Sequence, residues 1–126
     1  MKKITIVVDD VPPSNNKFIG RNNRWSYQEY KRAWKILMRS GMKDIPKKPI
    51  EKAKVHINYI FPTRTRRDPD NFSGKLILDP LVQYGIIVDD NFSCIELSLS
   101  AKYEKGVKQT TVTVTEILSI RLKEIE

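Results

Sequence analysis

The apolar positions fall into two periods. Ile4, Ile6 and Val8 alternate with Thr5 and Val7, so residues 3 to 9 read as a strand, closed by Pro12-Pro13 and the polar Ser14-Asn15-Asn16. After a loop to about Trp25, Ser26 and Glu29 have the spacing of a capping box. Tyr27, Tyr30, Trp34, Leu37 and Met38 then recur at helical spacing as far as Gly41. The opposite face of that helix carries Lys31, Arg32, Lys35 and Arg39, a solvated or DNA-facing surface. A lysine-rich linker with Pro46 and Pro49 leads to residues 53 to 61, where Val55, Ile57, Tyr59 and Phe61 alternate with Lys54, His56, Asn58 and Ile60 as in a half-buried strand.

A second helix is predicted from about Phe72 to Tyr84 by Leu76, Ile77, Leu81 and Tyr84, with Gly85 as its stop and Pro80 expected to kink or split it. Ile95, Leu97, Leu99, Ala101 and Tyr103 alternate with polar residues. After Glu104-Lys105-Gly106 comes the threonine-valine alternation of residues 110 to 115, and the two stretches predict a β-hairpin. Residues 119 to 126 read as a short helical or frayed tail. The expectation is one compact α/β domain over residues 1–126, with a core of about 3–117. Its mixed sheet of about four strands is packed with two main helices.

Composition narrows the partners. In 126 residues there are 23 Lys and Arg against 15 Asp and Glu, a formal charge of +8, which favours a polyanion and above all nucleic acid. No apolar run approaches the roughly 20 residues of a membrane span, and Met-Lys-Lys opens directly into a strand. The single cysteine, Cys94, forms no internal disulfide, in keeping with a reducing, cytoplasmic compartment. His56 alternates onto the polar face of a strand, which suits a surface or hydrogen-bonded role better than catalysis. Trp25 reads as a hydrophobic staple before the first helix, with base stacking as the minority use.

Against that basic background, acids concentrate beside the densest arginine run: Arg64, Arg66 and Arg67, then Asp68-Pro69-Asp70-Asn71, with Lys75 beyond and Asp89-Asp90 downstream. Carboxylate oxygens are the ligands a hard Mg²⁺ prefers, and arginines beside them hold phosphate. Pro69 biases Asp68 towards extended backbone, so Asp68 and Asp70 can project to one side. If residues 86 to 90 turn back beside them, Asp89 or Asp90 supplies a third carboxylate for one or two divalent ions at a scissile phosphate. Lys75 would stabilise charge developing on the phosphorane or leaving oxygen. The competing reading is ordinary: acids before a helix act as N-caps, and Asp-Asp-Asn before a strand makes a turn. Arg21 and Arg24, with Asn15 and Asn16, are further candidates for DNA contact.

Pro12-Pro13-Ser14-Asn15-Asn16, Arg66-Arg67-Asp68-Pro69-Asp70-Asn71, Lys75, Asp79-Pro80-Leu81, Gly85 and Asp89-Asp90, in this order, resemble the RusA family of Holliday-junction resolvases. The resemblance runs from about residue 4 to residue 117. It implies a small α/β homodimer, often prophage-borne, that binds four-way DNA junctions in recombination and repair. Such an enzyme nicks two opposed strands with Mg²⁺, or Mn²⁺ in its place, and needs no organic cofactor. By motif, the family's D-x-D-N carboxylates fall on Asp68 and Asp70, its essential lysine on Lys75 and its downstream acid on Asp90, with Asp89 the alternative ligand. The chain departs in one respect, an extra residue between Asn71 and Lys75. The rival readings are a broader structure-selective nuclease acting on flaps and forks, and a non-catalytic DNA-binding protein.

Overall fold

The computed structural model describes residues 2–18 and 24–118, and of Arg24 the backbone alone. The chain runs through strand β1 (Lys3–Val8), a 3₁₀ turn (Asn15–Phe18), helix α1 (Arg24–Gly41), strand β2 (Ala53–Phe61), a second 3₁₀ turn (Pro69–Phe72), helix α2 (Lys75–Gln83) and strands β3 (Ile95–Tyr103) and β4 (Gln109–Glu116). The four strands form one mixed sheet in the order β1-β4-β2-β3, in which only β2 and β3 are parallel. This is the single domain of four strands and two helices that the hydrophobic pattern predicts. The tail from residue 119 lies outside the described residues. Among those described, no helix is long and apolar enough to cross a membrane.

Strand pairing places matching side chains in rows on one face: Ile4, Val114, Val55 and Leu97 in one, Ile6, Val112, Ile57 and Leu99 in the next, then Val8, Thr110, Tyr59 and Ala101. Trp34 and Met38 of α1 and Leu76, Ile77 and Leu81 of α2 complete a single buried cluster with the apolar members of β1, β4 and β2. Burial fails at the last strand. Leu97 and Tyr103 are each 40% exposed, and Ala101 is exposed too. The opposite face is polar, with Thr5, Thr113, His56 and Ser98 in one row. His56 contacts the Ser98 and Ser100 hydroxyls at 2.6 and 2.8 Å, the hydrogen-bonded surface role its alternation suggests. Cys94 is half-buried against the core.

The predicted hairpin does not form. β3 and β4 are neighbours in sequence, yet β2 lies between them. β2 buries Ala53, Val55, Ile57, Tyr59, Ile60 and Phe61, so it takes an inner position. The β2–α2–β3 connection is a helical crossover, which brings β3 alongside β2 as a parallel neighbour. The connection from β3 to β4 then passes the end of β2, where the Glu104 amide donates to the Phe61 carbonyl at 3.0 Å.

Both helix starts differ from expectation. α1 already includes Arg24, so Ser26 lies within its first turn and is not the N-cap, and Trp25 is a helical residue 70% exposed rather than a staple. α2 begins at Lys75 rather than Phe72, because Pro69–Phe72 forms its own 3₁₀ turn. Pro80 does not split α2. The helix continues to Gln83 with Pro80 buried in its apolar face, since a proline here removes one backbone donor from a short, well-packed helix. Gly85, at φ 76°, supplies the left-handed stop expected of it.

Candidate active site

The backbone at Asp68 is extended (φ −100°, ψ 140°), as Pro69 demands, and its side chain makes no capping hydrogen bond. The N-cap reading therefore does not hold for Asp68. Its carboxylate instead meets Arg66, Nε to Oδ1 at 3.3 Å, an exposed pair of small energetic weight. Asp70 lies inside the 3₁₀ turn, so the strand rule that would place residues two apart on one side stops at Pro69.

Two side chains distant in sequence pin that turn. Asn15 donates from Nδ2 to the Asp70 carbonyl at 3.1 Å and to Ser73 Oγ at 3.0 Å. The Tyr59 hydroxyl donates to the Phe72 carbonyl at 2.9 Å, and burial pushes its pKa well above the ordinary tyrosine value. Phe72 closes the site from below by packing edge-on against Tyr59 and Phe61, with centroids 5.9 and 5.1 Å away. The sequence marked Asn15 as a DNA contact. The structure gives its amide a partner in the loop that carries Asp70.

Gly74 sits at φ 86° immediately ahead of α2. A β-carbon there would stand 2.5 Å from Ile57 Cδ1, so both the backbone angle and the space call for glycine. Lys75 is consequently the first residue of α2, exposed, with Nζ 5.2 Å from the centre of the Tyr27 ring. Phe18 packs edge-on against Tyr27 at 5.1 Å, linking the loop of Asn15 to the same aromatic ring.

Residues 86–88 pair with the linker before β2: the Ile50 amide donates to the Ile86 carbonyl and the Val88 amide to the Ile50 carbonyl. Asp89 is a turn residue: Oδ1 accepts from the Asp90 amide at 2.7 Å and Oδ2 from Asn91 Nδ2 at 3.1 Å. Asp90 has its pKa raised by desolvation, then by its hydrogen bond to Asp89 and by the charges of Asp89 and Asp79. Asp79 on α2 lies 3.7 Å from Lys31 Nζ, and the pKa of Tyr27 is raised by burial first and then by the Asp79 charge. Among the described residues, no three carboxylate, histidine or cysteine side chains gather closely enough to hold a metal ion by themselves. The donors are nonetheless all hard oxygens, suited to a divalent ion held by one or two carboxylates together with water and phosphate.

Sequence reasoning did not single out Tyr27, Tyr59 or Ser73. Their contacts depend on tertiary folding, and only Asp79, one helical turn beyond Lys75, had a local signal. Arg67 donates to the Thr63 and Thr65 carbonyls and to Thr63 Oγ1, while its guanidinium lies 4.2 Å from the centre of the Phe61 ring. Arg64 stacks over Tyr103 at 4.7 Å. Asn16 is exposed at the end of the Pro-Pro-Ser-Asn-Asn run, Arg24 opens α1, and Arg21 lies outside the described residues.

The comparison with known families accords with this arrangement. The family model described as Endodeoxyribonuclease RusA matches residues 10–115, a span that takes in the Asn15 loop, the arginine–aspartate segment, α2 and the Asp89-Asp90 turn. No curated protein matches the chain significantly. With most of its length matched, the chain belongs to the RusA family of endodeoxyribonucleases.

Proposed function

We propose that this protein is a divalent-metal-dependent resolvase of four-way DNA junctions, working as a homodimer that nicks two opposed strands. The observation that carries the reading is the pinned turn itself. Asp68 and Asp70 stand directly after Arg66 and Arg67, and Lys75 follows Asp70 by five positions. The Asp68 side chain makes no capping bond, and the turn is held from two sides by Asn15 and Tyr59. A binding surface needs cations alone, whereas acids inside a basic patch repel phosphate unless they manage a cation.

The residues that would hold Mg²⁺ or Mn²⁺ are Asp70 and Asp90, with Asp68 and Asp89 as further oxygen donors. A bound divalent ion would supply Lewis-acid polarisation of the scissile phosphoryl group. Asp90 is preferred over Asp89, whose two oxygens already serve the turn. Arg66 binds and orients the scissile phosphate through charge-assisted bonds. The Lys75 ammonium, on the first turn of α2, stabilises negative charge that builds on the phosphorane and the leaving oxygen. Twofold symmetry of the dimer would present two such turns to the two opposed strands of a junction.

Cleavage of an end-labelled four-way junction, beside linear duplex of the same sequence, tests the reading with Mg²⁺, Mn²⁺ or EDTA. Paired, metal-dependent nicks lost in Asp70→Asn, with junction binding kept, are the expected result. Equal cutting of duplex, flaps and forks would replace it by a broader nuclease. Binding without cutting in any metal would leave a non-catalytic DNA-binding protein.

A further inference from the structure

The sheet face that carries the core runs out from under its helices at β3, and at the C-terminal ends of β2 and β3 it is open. Here Phe61 and Tyr103 are paired neighbours, and the position before Tyr103 on the same face is the small Ala101. A larger residue at 101 would fill the floor. Instead there is a groove of about 450 Å³ lined by Phe61, Arg64, Arg67, Ala101, Lys102 and Tyr103, with no acidic residue on its wall. It adjoins a smaller pocket that shares Phe61, Arg67 and Ala101 and reaches Asp68.

From this we infer a nucleotide-binding subsite for one unpaired residue of single-stranded DNA, its base stacked on the Arg64–Tyr103 pair and its phosphate held by Arg67. The polar parts are preorganised. Arg67 spends three of its five N–H donors on the Thr63 and Thr65 carbonyls and Thr63 Oγ1, at 2.8 to 3.0 Å, which holds its guanidinium over Phe61 at the groove wall and leaves two donors for a ligand. The Arg64 guanidinium already lies over the Tyr103 ring, 4.7 Å from its centre, a pair that a base can extend. Stacking on an aromatic or guanidinium plane tolerates any base, and cations without base-edge donors or acceptors read backbone rather than sequence. The subsite would therefore recognise an unpaired nucleotide by structure, a few residues along the strand from the phosphate beside Asp68. It rests on the nuclease reading only for the choice of DNA as the polymer.

The test uses the full-length protein in EDTA and two fluorescent hexamers: oligothymidylate and the same sugar-phosphate backbone without bases. We expect the wild type to favour oligothymidylate over the abasic strand by roughly 5- to 100-fold, the usual contribution of one stacked base. Tyr103→Ala should lose that preference without losing affinity for the abasic strand, and Tyr103→Phe should keep it. A wild type with no preference, or a preference unchanged in Tyr103→Ala, would overturn the subsite. Junction cleavage with Mg²⁺ is measured on the same preparations. Its failure would remove the nuclease reading, and the hexamers would still decide the groove; intact cleavage with no stacking signal would remove the groove alone.

Discussion

Asn15 and Asp70 stand 55 positions apart in the chain and are joined by one side-chain amide. Two readings of Asn15 make opposite demands. A DNA contact would lower affinity when removed and leave the chemical step unchanged. A clamp on the Asp70 turn would do the reverse, because a displacement near 1 Å of a reacting group costs up to about 100-fold in rate. Asn15→Ala is expected to reduce the single-turnover cleavage rate at saturating junction by roughly tenfold or more, with junction affinity unchanged. Burst kinetics and gel-shift titration on one preparation separate the two. Tyr59→Phe attacks the same turn from the sheet side. It leaves the Phe72 carbonyl without its partner, and chemical denaturation should show a loss of about 1–3 kcal/mol. Asp90 titrates oppositely to a stabilising carboxylate. A carboxyl with a raised folded pKa favours its protonated form in the fold, so its ionised form costs stability. That cost is absent below the unfolded value and complete above the raised one. Asp90→Asn should accordingly raise the melting temperature slightly at neutral pH, and the gain should vanish as the pH falls into the carboxylate range. A destabilised variant at neutral pH would refute the coupling to Asp79 and Asp89.

At the scale of elements, the junction between the Asp70 turn and α2 is the decisive joint. Gly74 carries a left-handed backbone angle and leaves room for Ile57 Cδ1, so Gly74→Ala should cost about 1–3 kcal/mol, read by denaturant melts. Because Lys75 follows directly, the same substitution should slow cleavage more than it weakens DNA binding. The strands, the helices and the acids beside arginine were legible in sequence, since each follows from a local period or a short motif. What was not legible depends on distant partners. The 3₁₀ turn at Pro69–Phe72 was read as the start of α2 because its apolar Phe72 fits the helical spacing, although that side chain packs on Tyr59 and Phe61. The hairpin was read from the closeness of β3 and β4 in the chain. Against it stands the burial of six of the nine residues of β2, Ile60 among them although it occupies a polar position in the pattern. The docking of the Ile86–Val88 segment on Ile50 is likewise a contact no spacing rule contains.

At the scale of the whole molecule, the excess of cations sets how the protein meets DNA, while the pinned turn sets what it does there. A formal charge of +8 is spread over the chain, yet the arginines near the Asp68 turn are concentrated in four residues, 64 to 67. Each phosphate neutralised by such a side chain releases counterions, and the logarithm of the binding constant falls against the logarithm of salt with a slope of about −0.9 per contact on duplex DNA. Arg66→Gln is therefore expected to make the slope for junction binding shallower by about 0.9 per chain engaged, with no change in which strands are cut. Two chains on one junction should double that difference to about 1.8. The salt dependence of one substitution thus counts the subunits at work. A difference near 1.8, with sedimentation showing two chains per junction, is the outcome the twofold reading requires. A difference near 0.9 with paired nicks would mean that single chains act in succession. No difference at all would mean that Arg66 serves Asp68 rather than phosphate, in line with the 3.3 Å pair those two residues already make.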